Sequence, residues 1–415
     1  MKHLQTAGIF LAVILSINLF DATFLNESLV NYIVFMAMIA IIAVSLPFFF
    51  VRQTGFVLPV QLIVISIFVS TITAYTVWNQ PFKASLIEVT SYIGWILFFY
   101  LLQIRISIST LERITFFYAG LYVLLYFYQL AHADSVLFGW ALSGDEFSEQ
   151  RGIVRIVFPG AGIFILAVFM AINKLTSTNK SRILLAILGI LGLAIPILQV
   201  TRQFIFGVVL IYAIHFLSTQ SLVKKIVFIT VFFAAAFWFM TSDNEIARGI
   251  IETQQRDMQL GQDYIRVVAA EFFISDFSPN LITRILGNGP PSWGISSYGI
   301  YIRNLADTKE FFLADVGLIG MYAMFGILPV IAYIMIWIKS FTIRLPKEYY
   351  YLKYYLWYLL LTSLTWYSVY HYSYLISTVF VLYSYQRLYD QQKTVRRTKK
   401  TLSVQLQGHQ LAVVG

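Results

Sequence analysis

From Leu29 to Phe50 the sequence carries no charged side chain. A helix needs roughly 20 mainly apolar residues to cross a bilayer, so a run of this kind constrains the fold before anything else does. It is one of twelve. The apolar segments lie at approximately 7–20, 29–50, 57–78, 89–103, 113–131, 153–173, 183–200, 204–218, 226–241, 312–338, 350–370 and 372–385. Composition agrees, with 59% hydrophobic and 12% charged residues, where a soluble domain has about 45–50% and about 25%. Half the usual charge cannot cover a water-exposed surface, which excludes a soluble globular fold. The absence of Cys excludes disulfides, thiolate zinc sites and cysteine nucleophiles. The first segment has the charge and length of a signal peptide, but the stretch Asp21–Asn26 has no small-x-small cleavage site. It reads as a helix.

The break at Thr201-Arg202-Gln203 is the least obvious. One helix over 183–218 would be about 54 Å long at 1.5 Å per residue, against a hydrocarbon core of about 30 Å. An arginine in the middle of a span also costs at least about 2.5–3.5 kcal/mol. Two helices with a tight hairpin at Arg202 are expected instead. Counting charge tests this. With the N-terminus inside, 19 of the 29 Lys and Arg fall on inside segments, 4 on short outside segments and 6 in one long loop. Long loops are exempt from the positive-inside rule. The expected architecture is an all-α polytopic membrane protein with about 12 transmembrane helices and both termini cytoplasmic. The net charge of +9 is then anchoring charge and gives no reason to expect nucleic acid.

Two outward segments are sizeable. Residues 132–152 end in Asp145, Glu146 and Glu149, and residues 242–311 form one large outward-facing loop. That loop carries helical periodicity: Ile265, Val268, Ala269, Phe272 and Phe273 share a face, with Arg266 on its flank. A Gly/Pro-rich turn, Gly287-Asn288-Gly289-Pro290-Pro291, follows. Four organisational units result: spans one to nine (1–241), the loop (242–311), spans ten to twelve (312–388) and a basic cytoplasmic tail (389–415). The tail is expected to lie along anionic headgroups. The Tyr-rich run Tyr349–Tyr355 reads as an interfacial belt.

The outward arginines are the main functional signal. Arg155 opens an apolar run ending in Pro159-Gly160, Arg202 stands alone in its hairpin, and Arg266 lies on the loop helix. All three oppose the topology bias. Guanidinium forks match phosphate oxygens with paired, charge-assisted hydrogen bonds, so arginines converging there would suit a lipid-linked pyrophosphate. The plainer reading of each is a snorkelling residue or the partner of a nearby carboxylate. Asp307, Glu310 and Asp315 cluster before the tenth span. Asp315 lies beside the apolar Phe311–Ala314, where desolvation would raise its pKa and suit it to general-base work. Its plainer reading is a helix N-terminal acid. His132 and His371 face outward, and no histidine pair has metal-ligand spacing. There is no P-loop, no dinucleotide fingerprint and no Gly-x-Ser-x-Gly. No metal and no cofactor is expected.

Three segments together resemble the bacterial polysaccharide polymerase and O-antigen ligase superfamily (Wzy-type proteins and their ligase relatives). Arg202 in Gln199-Val200-Thr201-Arg202-Gln203 is similar to the family's short arginine hairpin. RVVAAEFFISDFSPNLITRILGNGP, from Arg266, resembles its loop helix and Gly-x-Gly turn. FFLADVGLIGMYAMFG, from Phe311, resembles the start of the tenth span, with acid-x-Gly-x-x-Gly. RGIVRIVFPGAG, carrying Arg151 and Arg155, resembles the start of the sixth. The resemblance implies a GT-C-like, metal-independent glycosyltransferase of the bacterial inner membrane. It would act on undecaprenyl-pyrophosphate-linked glycans, with Arg202 and Arg266 engaging the pyrophosphate. Arg151, Arg155, Asp315 and His371 are the expected substrate-binding residues, and a carboxylate or the outward His371 is the expected acceptor of the hydroxyl proton. Donor and acceptor glycans and membrane lipids would be its partners, with a flippase and a chain-length regulator alongside.

Ligases of this family carry a histidine shortly before the acid-x-Gly segment. The matching stretch Asn304–Glu310 has none, which favours a repeat-unit polymerase and leaves Asp307 and Glu310 as base candidates by position. The rivals are the ligase and a lipid-linked glycan flippase. A flippase would place charge in a mid-membrane cavity, whereas charge here lies at span ends.

Overall fold

The computed structural model describes residues 2–51, 54–139, 159–177, 182–199, 201–219 and 264–414, with a few further positions between these stretches. The described residues are almost wholly helical, with one two-residue antiparallel pair, Glu149–Gln150 with Ile153–Val154. Four helices are long and apolar enough to cross a membrane: Ser28–Phe49, Val57–Trp78, Phe82–Ile104 and Ile108–Ala131. Further apolar helices are shorter, among them Ala161–Ser177, Arg182–Leu198, Arg202–Ser218 and Ile327–Thr342. The described residues thus form an all-helical structure with four candidate membrane-spanning helices.

Local chemistry sets the helix ends. Helix α1 spans Lys2–Ser16, and α2, Glu27–Phe49, starts where the Asn26 side chain accepts the Leu29 N–H at 3.1 Å. Helix α3, Val57–Trp78, stops at Asn79, which adopts the left-handed conformation. Helix α4, Phe82–Ile93, passes through the tight turn Gly94–Ile96 into α5, Leu97–Ile104. The fourth expected span is therefore longer and bent. Helix α6, Ile108–Ala131, is capped by Ser107. Helix α7, Ala161–Ser177, is the centre of the bundle: every residue from Gly162 to Asn173 is buried. A helix apolar all round belongs in such a position, and α7 packs on α6, on α8 (Arg182–Leu198), on α15 (Tyr350–Thr362) and on α16 (Tyr372–Val414).

Helix α8, which ends at Leu198, packs against α9, Arg202–Thr219. That is the hairpin that the length of 183–218 requires. Segments the charge count places inside meet at one end. Lys174 pairs with Glu112 at 2.8 Å, and Gln386 Nε2 donates to Thr54 O at 2.8 Å. Segments it places outside meet at the other: Thr23 N–H donates to Leu137 O, and Tyr372 OH to Asp21. The ninth expected span, 226–241, falls almost wholly outside the described residues, as do most of 140–158 and 220–263.

Three expectations are corrected. The Tyr349–Tyr355 run is not a lipid-facing belt, since Tyr351, Tyr354 and Tyr355 are fully buried. Their hydroxyls have interior partners: Tyr351 donates to Glu112 at 2.9 Å, Tyr354 meets His215 at 3.0 Å and Tyr355 meets Ser377 at 2.7 Å. Interhelical hydrogen bonds of this kind average about 0.6 kcal/mol in a membrane, enough in number to favour tyrosine inside. The expected tenth span is also not continuous. Residues 313–316 form a tight turn, helix α13 covers Leu318–Phe325, the chain breaks at Gly326, and α14 covers Ile327–Thr342.

The third correction concerns the loop. Helices α10 (Ile265–Ser275), α11 (Leu281–Leu286) and α12 (Ser297–Lys309) do not form a unit apart from the spans. Ala269, Phe273, Tyr298 and Leu305 belong to the same core cluster as α3, α13 and α14. The Gly-Asn-Gly turn fills the break after α13: Asn288 N–H donates to Ala323 O at 3.1 Å, and Gly289 N–H to Met324 O at 2.7 Å. Carbonyls freed by a broken helix must find donors in a low-dielectric interior. This turn supplies them. A Cβ on Gly287 would lie 2.5 Å from Phe325 C and 2.6 Å from Gly326 N, so only backbone fits there.

Candidate active site

The turn from Ser363 to His371, between α15 and α16, is a platform against which α9 and the 313–317 segment pack. Helix α9 reaches it from one side. Gln203 Nε2 donates to Thr365 O at 3.4 Å, and the Phe204 ring meets Trp366 edge-on at 5.6 Å. The 313–317 segment reaches it from the other. Leu318 N–H donates to Ser363 O at 2.8 Å, and Tyr370 OH donates to Leu313 O at 2.8 Å. The acid-x-Gly pattern has a steric reason. Gly317 sits at φ 52°, ψ −117°, and a Cβ there would lie 2.0 Å from Ser363 O. Only glycine lets Asp315 approach this turn.

Both arginines occupy first turns of helices. Arg202 is the first residue of α9 and Arg266 the second of α10, and neither helix has an acid in its first turn. A cation is unfavourable at that end of the macrodipole, by about 0.3–1 kcal/mol. The positive end of a helix dipole and a guanidinium at one place suit an anion instead. Arg266 lies 3.6 Å from Asp315 Oδ2, the two side chains being 26% and 33% exposed. At that exposure the pair contributes at most about 1 kcal/mol. Asp315 is therefore not the isolated carboxylate that its apolar neighbours suggest; it faces the Arg266 guanidinium. Arg202 is half-buried and has partners of its own.

His371 lies between the rings of Tyr367 and Tyr372, 4.3 Å and 4.4 Å away. Its Nδ1 accepts the Ser373 N–H at 3.4 Å, which assigns the ring proton to Nε2. Burial pushes its pKa from 6.5 down to about 3. A ring that is neutral, with its acceptor nitrogen occupied, donates a hydrogen bond and does not take a proton. Burial and the Ser373 bond therefore suit His371 to donating a hydrogen bond more than to acting as a base. His371→Gln, which retains an N–H donor, is expected to keep most function between pH 5 and 8, where the wild-type ring does not titrate. His371→Ala is expected to lose several-fold more in the same glycan assay. A new titration limb near pH 6.5 in the wild type would contradict this.

Asp307 and Glu310 are exposed at the end of α12, Glu310 in the left-handed conformation. Among the described residues no hydrogen bond or ion pair joins them to Arg202, Arg266 or Asp315. Between them and Asp315 the chain leaves α12 through the left-handed Glu310 and runs extended at Phe312. Arg151 and Arg155 lie outside the described residues.

Asp21 gave no signal in the sequence. It accepts the Tyr372 hydroxyl at 3.0 Å, next to His371. Residues Asn18 to Asp21 all have positive φ, from 48° to 59°. Four non-glycine residues in that region cost of order 1–3 kcal/mol each, and this run carries Asp21 from the end of α1 to the platform. No periodicity or motif foretells such a turn.

No group of three or more His, Cys, Asp or Glu among the described residues could hold a metal ion. Comparison with models of known protein families finds no match, and comparison with curated protein sequences finds none either.

Proposed function

We propose that the protein is a repeat-unit polymerase joining undecaprenyl-pyrophosphate-linked oligosaccharides into a long surface polysaccharide. In this reading it crosses the bacterial inner membrane about twelve times, GT-C-like, with both termini cytoplasmic and the platform outside. The observation that supports it is the pair of helix N-termini, each with an arginine and no acid: that of α9 lies against the 363–371 turn, and Arg266 of α10 faces Asp315 in the segment that packs on the same turn.

The acceptor sugar hydroxyl attacks the anomeric carbon of the growing glycan. The bond to the pyrophosphate oxygen breaks, and undecaprenyl pyrophosphate leaves. Arg202 and Arg266 stabilise the charge developing on it, from fixed positions in a partly dry site where such groups act most strongly. Arg266 exchanges its 3.6 Å pairing with Asp315 for the more highly charged pyrophosphate. The released carboxylate then takes the proton of the attacking hydroxyl. The donor is already activated, so the reaction needs no nucleotide.

A polymerase is favoured over a ligase because no histidine stands between Asn304 and Glu310, where ligases of the superfamily carry one. Removing the protein from its host is expected to abolish long glycan while single capped units remain. Loss of surface transfer with polymer accumulating on undecaprenyl would indicate the ligase. Long polymer of normal length that still reaches the surface would exclude both.

A further inference from the structure

A cavity lies at the end of the bundle opposite the candidate site, between the inner ends of α2, α3, α5 and α16, with a volume of about 570 Å³. Its lining is divided. Phe48, Val51 and Leu102 are apolar, whereas Arg105, Arg387 and Asp390 are charged. Helix α2, on its rim, is the least covered of the long apolar helices, only 17% of its membrane window being buried. The cavity therefore opens where lipid runs along the bundle.

The two arginines are held at one point. Arg105 ends α5 in the left-handed conformation, and Tyr383 OH donates to the next carbonyl, Ile106 O, at 2.7 Å. Both guanidiniums lie close enough to the Tyr383 hydroxyl to act on it electrostatically. Neither forms a salt bridge among the described residues, although Asp390 lies near Arg387. Asp390 accepts from Gln386 Nε2 at 2.9 Å, which ties it to its own helix.

We infer that this cavity binds the headgroup of an anionic phospholipid of the inner leaflet. The phosphodiester lies between Arg105 and Arg387, and the first carbons of the acyl chains run along Phe48, Val51 and Leu102. Guanidinium pairs match phosphate oxygens with a geometry that a lysine cannot supply. Basic pockets between helices on the cytoplasmic side take acidic headgroups, and the volume falls within the range of about 300–1,000 Å³ usual for small-ligand sites. A free phosphate would leave the apolar wall unused. The inference does not depend on the polymerase reading.

The test is lipid retention by the purified full-length protein, read by native mass spectrometry and by thermal shift. Wild-type protein is expected to retain phosphatidylglycerol about tenfold better than phosphatidylcholine, and millimolar inorganic phosphate does not displace it. The double variant Arg105→Gln/Arg387→Gln loses this preference with an unchanged lipid-free Tm. Leu102→Trp, which fills the apolar side without altering charge, also loses it. A variant with Arg396, Arg397, Lys399 and Lys400 replaced by Gln keeps it, which separates a built site from diffuse attraction to the tail. Retention by the double variant, loss in the tail variant alone, or displacement by inorganic phosphate would each overturn the proposal.

Discussion

Arg266→Ala is expected to lower polymer formation by about 100-fold or more, the loss seen when one fixed donor to a developing oxyanion is removed. The protein should still insert and fold. Arg266 is only partly buried, and its 3.6 Å pairing with Asp315 contributes little stability at that exposure. The variant should therefore separate chemistry from fold: glycan length by gel, and Tm of purified protein within a few degrees of wild type. Arg202→Ala is expected to behave alike, because its guanidinium stands at the start of α9 with no acid in that turn. Arg266→Lys restores charge without the planar fork and should recover only part of the activity. Normal polymer in both alanine variants would remove the arginines from the mechanism. Asp315→Asn gives a complementary result. Losing the counter-charge leaves Arg266 able to hold pyrophosphate, so donor binding should persist while turnover falls.

Gly317→Ala is the most damaging small change expected for the fold. The backbone there, at φ 52° and ψ −117°, lies outside the regions open to L-residues. The added Cβ would also sit 2.0 Å from Ser363 O and 3.1 Å from Trp366 O, both backbone atoms that cannot swing away. Relief requires moving the whole 363–371 turn or breaking the 2.8 Å hydrogen bond from Leu318 N–H to Ser363 O. Strain and lost bond together cost about 3 kcal/mol or more. The readouts are a lowered Tm and reduced yield from membranes. Gly120→Ala, in α6 with nothing within 4 Å of the new methyl, is the control. It should be neutral or stabilising, since alanine favours a helix by about 1 kcal/mol over glycine. Equal Tm values for the two variants would show that the platform is not packed as described.

The sequence was most legible where one physical rule acts over many residues. A hydrocarbon core of fixed thickness gives the long apolar helices and requires the hairpin at Arg202. The bias of Lys and Arg sorts the loops, and the segments it sorts together meet at common ends: Glu112 with Lys174 at one, Asp21 with Tyr372 at the other. The sequence was misleading where a side chain has two physical uses. Tyrosine suits a headgroup belt and equally a polar interior, and only partners such as Glu112 and Ser377 decide between them. The 312–338 run satisfies the length of a span, yet a glycine pair and a returning loop make a broken helix more favourable.

The sequence by itself determined that this chain lives in lipid, that it is helical, and that a few arginines stand against its charge bias. Those are sums over hydropathy and charge, which need no contacts. Only the tertiary structure decided that Arg266 faces Asp315, that Asp307 and Glu310 are exposed at the end of α12, and that Asp21 reaches His371's neighbour. Each depends on backbone directions at a few residues, Gly317, Gly326 and the left-handed run from Asn18 to Asp21. Local sequence does not fix those directions until the helices around them are packed.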